Sequence, residues 1–275
     1  MRMSDNRFQG WYFKHRAGEN IISFIPGYAE NRYFIQVITE NFSRVYNIKR
    51  LYFSDGINAD KCRFGKRGVY IDLPGIYGKL RYGKFTRLDT DIMGPFRFLP
   101  MECRHGVISM NHGVDGSLCI DGKMINFNGG HGYIETDGGS SFPGKYLWLQ
   151  CNSFPVDCSV MAAVADIPVL FALTHFMGCI CAVIFKGKEY RIATYKGARI
   201  ISSADNHIIL KQGKLLFEAD IIKNNSVFGL SAPVRGKMSR IIRESNNAAV
   251  RLRLWNDDKP IFDLTSDYAS FEYNF

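Results

Sequence analysis

Short runs of β-branched and aromatic residues, separated by turn residues, constrain this fold more than any other feature. No long window shows the 3.6-residue apolar period of an amphipathic helix. Four runs predict strands: YFIQVIT (Tyr33–Thr39), RVYNIKRLYF (Arg44–Phe53), YLWLQCNSF (Tyr146–Phe154) and KLLFEADII (Lys214–Ile222). The chain is therefore predicted to be all-β, built as sandwiches or barrels.

Turn residues between these runs predict three hairpins, centred on Asp121-Gly122, on Gly187 and on Gly213. The least strand-like segment is Gly236–Val250, whose start is predicted to hold a short helix. With 275 residues, the chain is long enough for one large all-β domain or two smaller ones.

The longest apolar stretch lies between Cys158 and Phe185 and is interrupted by Asp166, Pro168 and His175. Such interruptions argue against a membrane-spanning helix. They predict two core strands joined by a bend.

Seven cysteines occur without paired CxxC motifs, so Cys179 and Cys181 are predicted to be buried free thiols in strands. The start of the sequence lacks the apolar region of a signal peptide. We therefore expect a reduced, cytoplasmic, soluble protein. The net charge of +9 is compatible with peripheral contact with an anionic membrane. Nucleic acid is not expected as a partner, because no aromatic RNA-binding motif is present.

One stretch, GHGYIETDGGSSFPGKYLWLQCN (Gly130–Asn152), concentrates chemically versatile side chains. Strand alternation would place four of them on one face: His131, Tyr133, Glu135 and Asp137. In the next run a second set would share a face: Tyr146, Trp148, Gln150 and Asn152. Two neighbouring strands of this kind would present carboxylates, an imidazole, an amide and aromatic rings to one cavity.

Glu135 and Asp137 are the candidate acid and base. Two carboxylates on one face raise each other's proton affinity, and an apolar pocket raises it further. A carboxylic acid that stays protonated near neutral pH can donate a proton. The alternative is that both carboxylates are solvated or cap a turn, while Ser140 and Ser141 bond nearby backbone.

Other motifs carry less weight. Trp11, Phe13 and His15 alternate on one side of FQGWYFKH, which favours core packing over a site. His112 lies in a turn-rich segment, where a surface position is favoured over a ligand contact. His105 and the other histidines show no HxH or HExxH spacing, so a metal site has little support.

Five segments, in order, resemble the tocopherol cyclase family: FQGWYFKH, GHGYIETDGGSSFPGKYLWLQCNSF, SVMAAVADIPVL, GKEYRIATYKGARI and LSAPVRGKMSRIIRESNNAAVRLRLW. This family falls within a group of two-domain lipocalin-like proteins that includes carotenoid hydratases and some pericyclases. The resemblance implies two lipocalin-like antiparallel β-barrels packed together, with few short helices, over residues 1–142 and 143–275. The sequence departs from the family at Gly138, where a Trp is usual, and in its ending, IFDLTSDYASFEYNF.

The chemistry implied by the resemblance is a redox-neutral cyclisation, isomerisation or hydration of a prenylated or polyene substrate. An acid protonates a double bond, and a phenol oxygen traps the resulting tertiary carbocation, without a metal or redox cofactor. Asp137 is the implied proton donor and Glu135 its partner, although the reverse assignment is equally open. The implied ligand contacts are His131 and Gln150 at the polar head, then Trp148, Tyr133 and Trp11 along the cavity, and Ser140.

Two other functions are compatible with the sequence. A closed barrel is also a container, so the chain could carry a prenyl-quinol, terpenoid or polyene without catalysis. The missing ring at Gly138 favours this alternative, whereas the presence of both Glu135 and Asp137 favours an enzyme. The positive charge raises a third option, which is binding to an anionic polymer or a membrane surface.

Overall fold

The computed structural model describes residues 7–169, 174–225 and 228–275, and regular structure within them is dominated by strands. The strands are β1 Phe8–Ala17, β2 Asn20–Ala29, β3 Arg32–Thr39, β4 Ser43–Ile48, β5 Leu51–Phe53, β6 Ile57–Ala59, β7 Cys62–Gly65, β8 Gly68–Leu73, β9 Ile76–Tyr82, β10 Cys103–Ile120, β11 Lys123–Asn126, β12 Gly130–Gly139, β13 Tyr146–Cys151, β14 Cys158–Val169, β15 Thr174–Phe185, β16 Lys188–Ala193, β17 Arg199–Ala204, β18 His207–Gln212, β19 Leu215–Lys223, β20 Gly229–Val234, β21 Lys237–Asn256 and β22 Lys259–Asn274. Two short 3-10 helices cover Gly94–Phe98 and Thr194–Lys196.

The strands form two large sheets. The first has the order β4-β3-β2-β1-β12-β10-β9-β8-β7-β6-β5, with β11 paired to β10. The second has the order β16-β15-β14-β13-β22-β21-β19-β18-β17, with β20 paired to β21. Every described pairing is antiparallel. The predicted all-β, lipocalin-like class is confirmed, although both sheets are open in these pairings.

The chain divides into two units, and each takes a short segment from the other half of the sequence. The first unit contains Met1–Arg87, His105–Ser141 and Ser231–Arg240. The second contains Leu88–Arg104, Phe142–Leu230 and Ile241–Phe275. The single boundary between 1–142 and 143–275 stays a prediction.

In the first unit, one face of the sheet is apolar. Strand alternation collects its buried side chains into one cluster, which includes Phe13, Phe24, Val37, Phe64 and Ile134. The predicted core packing of Phe13 is therefore confirmed, and Trp11 packs against the same cluster. The opposite face of β1 and β12 carries polar side chains.

The second unit has its own apolar cluster. Leu147, Leu149 and Cys151 of β13 contribute to it, as the predicted alternation requires. Cys179 and Cys181 belong to the same cluster as buried free thiols, which confirms that prediction. Burial raises the pKa of both thiols, so they stay protonated.

The predicted pair of core strands within Cys158–Phe185 is confirmed as β14 and β15, which pair along their whole length. The predicted bend between them involves residues 170–173, which lie outside the described residues. No helix of the described chain is both long and apolar enough to cross a membrane.

The three predicted hairpins are present as β10–β11, β15–β16 and β18–β19. The first turn fits Asp121-Gly122 because both residues have positive φ, 49° and 83°. Two element predictions were wrong. The run Arg44–Phe53 is not one strand, because β4 and β5 lie at opposite ends of the sheet order. The helix expected at the start of Gly236–Val250 is strand β21, whose early residues alternate between exposed and half-buried positions.

Candidate active site

Strand β12 separates apolar from polar side chains. Ile134 joins the apolar cluster, so its neighbours Tyr133 and Glu135 point to the opposite face, together with Asp137. Strand β1 pairs with β12 and places Lys14 directly opposite Tyr133, and Tyr12 opposite Glu135. Opposite residues of antiparallel strands share a face. This polar face is therefore built by two adjacent strands.

A third strand completes the group. Strand β10 lies next to β12 and supplies His105, whose Nδ1 lies 2.9 Å from Oδ1 of Asp137. Its Nε2 lies 3.5 Å from Oε2 of Glu135. The hydroxyl of Tyr133 donates a hydrogen bond of 2.5 Å to the same carboxylate oxygen of Glu135. The four side chains form a continuous series: Asp137, His105, Glu135 and Tyr133.

Burial differs along this series. Tyr133 is fully buried, and Glu135 is 5% exposed. The side chain of Asp137 is 21% exposed and that of His105 13%. Burial, together with the charge of Glu135, raises the pKa of Tyr133 well above its usual value. The Tyr133 hydroxyl therefore keeps its proton and is the donor in its hydrogen bond to Glu135. Asp137 is the more accessible of the two carboxyl groups.

Lys14 lies on the same face and is only 1% exposed. A buried ammonium group is costly unless charged or polar partners surround it. Its position opposite Tyr133 places it beside the carboxylate series. The motif FQGWYFKH by itself predicted no role for Lys14.

The series has two chemical capacities. An imidazole between two carboxyl groups can pass a proton from one to the other. The same three donors, His105, Glu135 and Asp137, offer ligand atoms within 4.8 Å of one another, so they could also hold a cation. Tyr133 already donates to Glu135, and His105 is bonded to Asp137, which supports proton transfer.

The described contacts of three other candidates, His131, Ser140 and Trp11, are with residues outside this series. His131 is exposed, and its pKa is lowered by partial burial and by the nearby Arg16. Ser140 accepts a backbone hydrogen bond of 2.6 Å from Gly236 through its carbonyl oxygen. Trp11 pairs with Thr136 and contacts Phe53 with ring centroids 5.3 Å apart. Its side chain therefore lies on the apolar face, away from Glu135 and Asp137.

Trp148 and Gln150 belong to β13, which lies in the second sheet and the second unit. Gln150 is fully buried and pairs with Ser270, whereas Trp148 is 6% exposed and pairs with Glu272. Since β12 and β13 are in different sheets, they are not neighbouring strands. Their shared cavity stays a prediction.

Sequence reasoning missed further polar residues in the second unit. The hydroxyl of Tyr146 donates a 2.7 Å hydrogen bond to Glu272, and Glu272 lies opposite Glu244. Glu244 is 3% exposed. Neither glutamate lies in a motif near the central stretch, so no local signal linked them to Tyr146.

The prediction of a surface position for His112 is wrong. The residue is 2% exposed and lies inside the first unit. Its ring lies 4.5 Å from that of Tyr82, whose hydroxyl also bonds Nε2 of His15. His112 bonds Ser109 at 3.0 Å. Burial lowers the pKa of both histidines to about 3, so both rings are neutral. The residues around His112 have a turn-like composition, but they belong to the long strand β10.

The two units and the polar series define a two-sheet lipocalin-like protein with a candidate acid–base centre. Two solved structures share its fold. CghA, in a structure with Sch210972, matches with a TM-score of 0.62, at 12% identity, over 100% of this chain and 90% of that one. Kievitone hydratase from Nectria haematococca matches with a TM-score of 0.50, at 10% identity, over 97% and 88% of the two chains.

The sequence model of the tocopherol cyclase-like family matches residues 34–274, and the chain belongs to this family. A curated relative is the "Probable tocopherol cyclase, chloroplastic" of Oryza sativa subsp. japonica, 23% identical over 219 residues. The alignment covers 72% of this chain and 44% of the rice protein, so the chain spans less than half of that relative's length.

Proposed function

We propose that this protein is an enzyme of redox-neutral, acid-catalysed addition chemistry, which cyclises, isomerises or hydrates a hydrophobic prenylated or polyene substrate. Family membership supports the reaction class. The observation that carries the proposal is the series of Asp137, His105, Glu135 and Tyr133, in which two hydrogen bonds flank a 3.5 Å approach of His105 Nε2 to Glu135. Such a series holds a proton donor and a proton acceptor a few ångströms apart.

The reaction begins at Asp137. Its carboxylic acid protonates a substrate double bond, which leaves a tertiary carbocation and the Asp137 carboxylate. A hydroxyl oxygen, from a phenol group of the substrate or from water, bonds to the cation. Its proton passes to the carboxylate of Glu135. His105 then accepts a proton from Glu135 at Nε2 and donates one from Nδ1 to Asp137, which restores the acid and leaves the ring protonated at Nε2. Exchange of ring protons with water returns the proton to Nδ1 before the next turnover.

The assignment of roles follows from exposure. Asp137 is the more accessible of the two carboxyl groups, as a donor to substrate must be. Glu135 is deeper and accepts the hydrogen bond of Tyr133. Exposure therefore carries the assignment: Asp137, which substrate can reach, is the proton donor, and Glu135 is the proton acceptor.

The test is turnover of a geranyl-substituted hydroquinone in D₂O by wild type and Asp137→Asn. Wild type should give a cyclised ether that carries one deuterium at the carbon that was protonated. Asp137→Asn should lower kcat by about 10²–10⁴-fold and leave ligand affinity within a factor of about three. Asp72→Asn, which changes a carboxylate on another strand of the same sheet, is the matched control.

Three results would remove the proposal. Asp137→Asn with unchanged kcat would show that this carboxyl group does not donate the proton. Binding of the hydroquinone by wild type without any product would make the protein a carrier of apolar ligands. Stoichiometric metal in the purified protein, lost in Asp137→Asn, would assign the three donors to a cation instead.

A further inference from the structure

A row of aligned side chains crosses the outer face of the first sheet. Tyr52 of β5 lies opposite Asn58 of β6, which lies opposite Arg63 of β7. Arg63 lies opposite Tyr70 of β8, which lies opposite Lys79 of β9. Because directly opposite residues share a face, the five side chains follow one another across five strands. The alternate positions of these strands fill the apolar cluster.

The row continues into an exposed aromatic surface. Tyr52 is 52% exposed, Tyr70 49% and Tyr77 56%. Tyr77 lies two residues before Lys79 on β9, on the same face, and opposite Cys119. Cys119 in turn lies opposite Met124, which is 63% exposed. Single exposed apolar residues are ordinary, but several aligned on one sheet mark an interaction surface.

The charges around this surface are mostly basic. Six basic residues lie on or beside it: Lys61, Arg63, Lys66, Arg67, Lys79 and Arg81. Four acidic residues accompany them: Asp55, Asp60, Asp72 and Asp115. Asp72 lies 3.6 Å from Lys61. Asp55 bonds Arg63 at 2.9 Å and also lies 3.4 Å from Arg67. The excess of positive charge selects an anionic occupant, in line with the net charge of +9.

We propose that this aromatic–basic face, formed by Tyr52, Arg63, Tyr70, Tyr77, Lys79, Arg81 and Met124, docks on an anionic lipid bilayer. Tyrosine is suited to the membrane interface because its ring is apolar and its hydroxyl is polar. Lysine and arginine beside the rings attract anionic headgroups. The exposed Met124 thioether adds an apolar side chain that enters the headgroup boundary.

Docking on a bilayer goes beyond the proposed function but suits it, because a prenylated substrate dissolves in membranes. The face also stands apart from the acid–base series. Tyr70 and Lys79 lie on β8 and β9, whereas Glu135 and Asp137 lie on β12, with β10 between β9 and β12 in the sheet. Membrane docking can therefore be tested without substrate.

The experiment is vesicle co-sedimentation with phosphatidylcholine alone and with phosphatidylcholine containing one third phosphatidylserine. Wild type should bind the anionic vesicles at least about tenfold more tightly, and binding should weaken as NaCl rises from about 0.1 M to about 1 M. K79E/R81E should lower the partition coefficient by at least about tenfold. R199E/K211E, which reverses two opposed exposed basic residues of the second unit, is the matched control and should bind like wild type.

A second variant separates ring insertion from charge. Y70S/Y77S keeps every charge and should lower the partition coefficient by about tenfold; circular dichroism and thermal melting establish that each variant folds. Equal binding by wild type and K79E/R81E would overturn the inference, as would tighter binding of poly(U) RNA through the same residues. Asp137→Asn should bind vesicles like wild type, so a failure of the proposed chemistry leaves this result unchanged.

Discussion

Any side chain at position 138 would overlap the side chain of Gln9. Gly138 and Gln9 are partners in the register of β1 and β12, and a Cβ added to Gly138 would lie 2.1 Å from Oε1 of Gln9. The Gln9 amide also donates a 2.6 Å hydrogen bond to Thr136. The family resemblance predicts a Trp at position 138, one residue after Asp137. In this chain the side chain of Gln9 lies where that Trp side chain would begin.

Gly138→Ala should push the Gln9 amide away from Thr136 and lower the free energy of unfolding by about 1 kcal/mol, because one partly buried hydrogen bond is lost. Gln9 is a flexible side chain, so its displacement adds little strain. In the Gln9→Ala variant the methyl group added by Gly138→Ala has room. Gly138→Ala should therefore lower the free energy of unfolding by less in that variant than in wild type. Urea unfolding of wild type, both single variants and the double variant measures this coupling. Additive effects would show that the two residues do not compete.

At the scale of elements, one arginine anchors a whole segment. Arg191 of β16 is 7% exposed and donates to the carbonyl oxygens of Thr90 and Asp91, each at 3.1 Å. It also bonds Glu189 at 2.6 Å and Tyr195 at 2.9 Å. Arg191 thereby holds segment Leu88–Arg104 within the second unit.

Arg191→Lys should keep the charge but lose the forked geometry that reaches several acceptors at once. We expect the free energy of unfolding to fall by about 1–3 kcal/mol, since lysine cannot make all four of the hydrogen bonds that Arg191 makes. Trypsin should also cleave faster at Arg97 and Arg104 in native conditions. Arg199→Lys, at an exposed position of β17, is the control and should change neither quantity.

At the scale of the whole molecule, His15 and His112 make stability depend on pH. Both rings are neutral in the folded protein with a pKa of about 3, compared with 6.5 for the unfolded chain. Between these values the unfolded state binds more protons, so acid favours unfolding. Their stabilising contribution is complete above about pH 6.5 and is lost progressively as the pH falls towards 3.

At about pH 5 each imidazole should have reduced the free energy of unfolding by about 2 kcal/mol relative to neutral pH. Denaturant unfolding at several pH values from neutral to acid measures the slope of the free energy of unfolding against pH. His15→Gln and His112→Gln should each make the slope shallower, whatever they do to stability at neutral pH. An unaltered slope in both buried variants would contradict the assignment.

The sequence alone determined the local features of this protein. Period-two alternation predicted the faces of β12 and β13, because side chains of any strand alternate. Positive-φ turns such as Asp121-Gly122 predicted hairpins for an equally local reason. The family resemblance pointed to Glu135 and Asp137, and the all-β class followed from the same patterns.

Only the tertiary structure decided which strands are neighbours. His105 reaches Asp137 because β10 pairs beside β12, and no spacing in the sequence records that contact. The structure likewise assigned β12 and β13 to different sheets and buried His112 within a long strand. Strand order is set by long-range pairing and by burial of a shared apolar face. These energies belong to the whole chain and leave no local pattern to read.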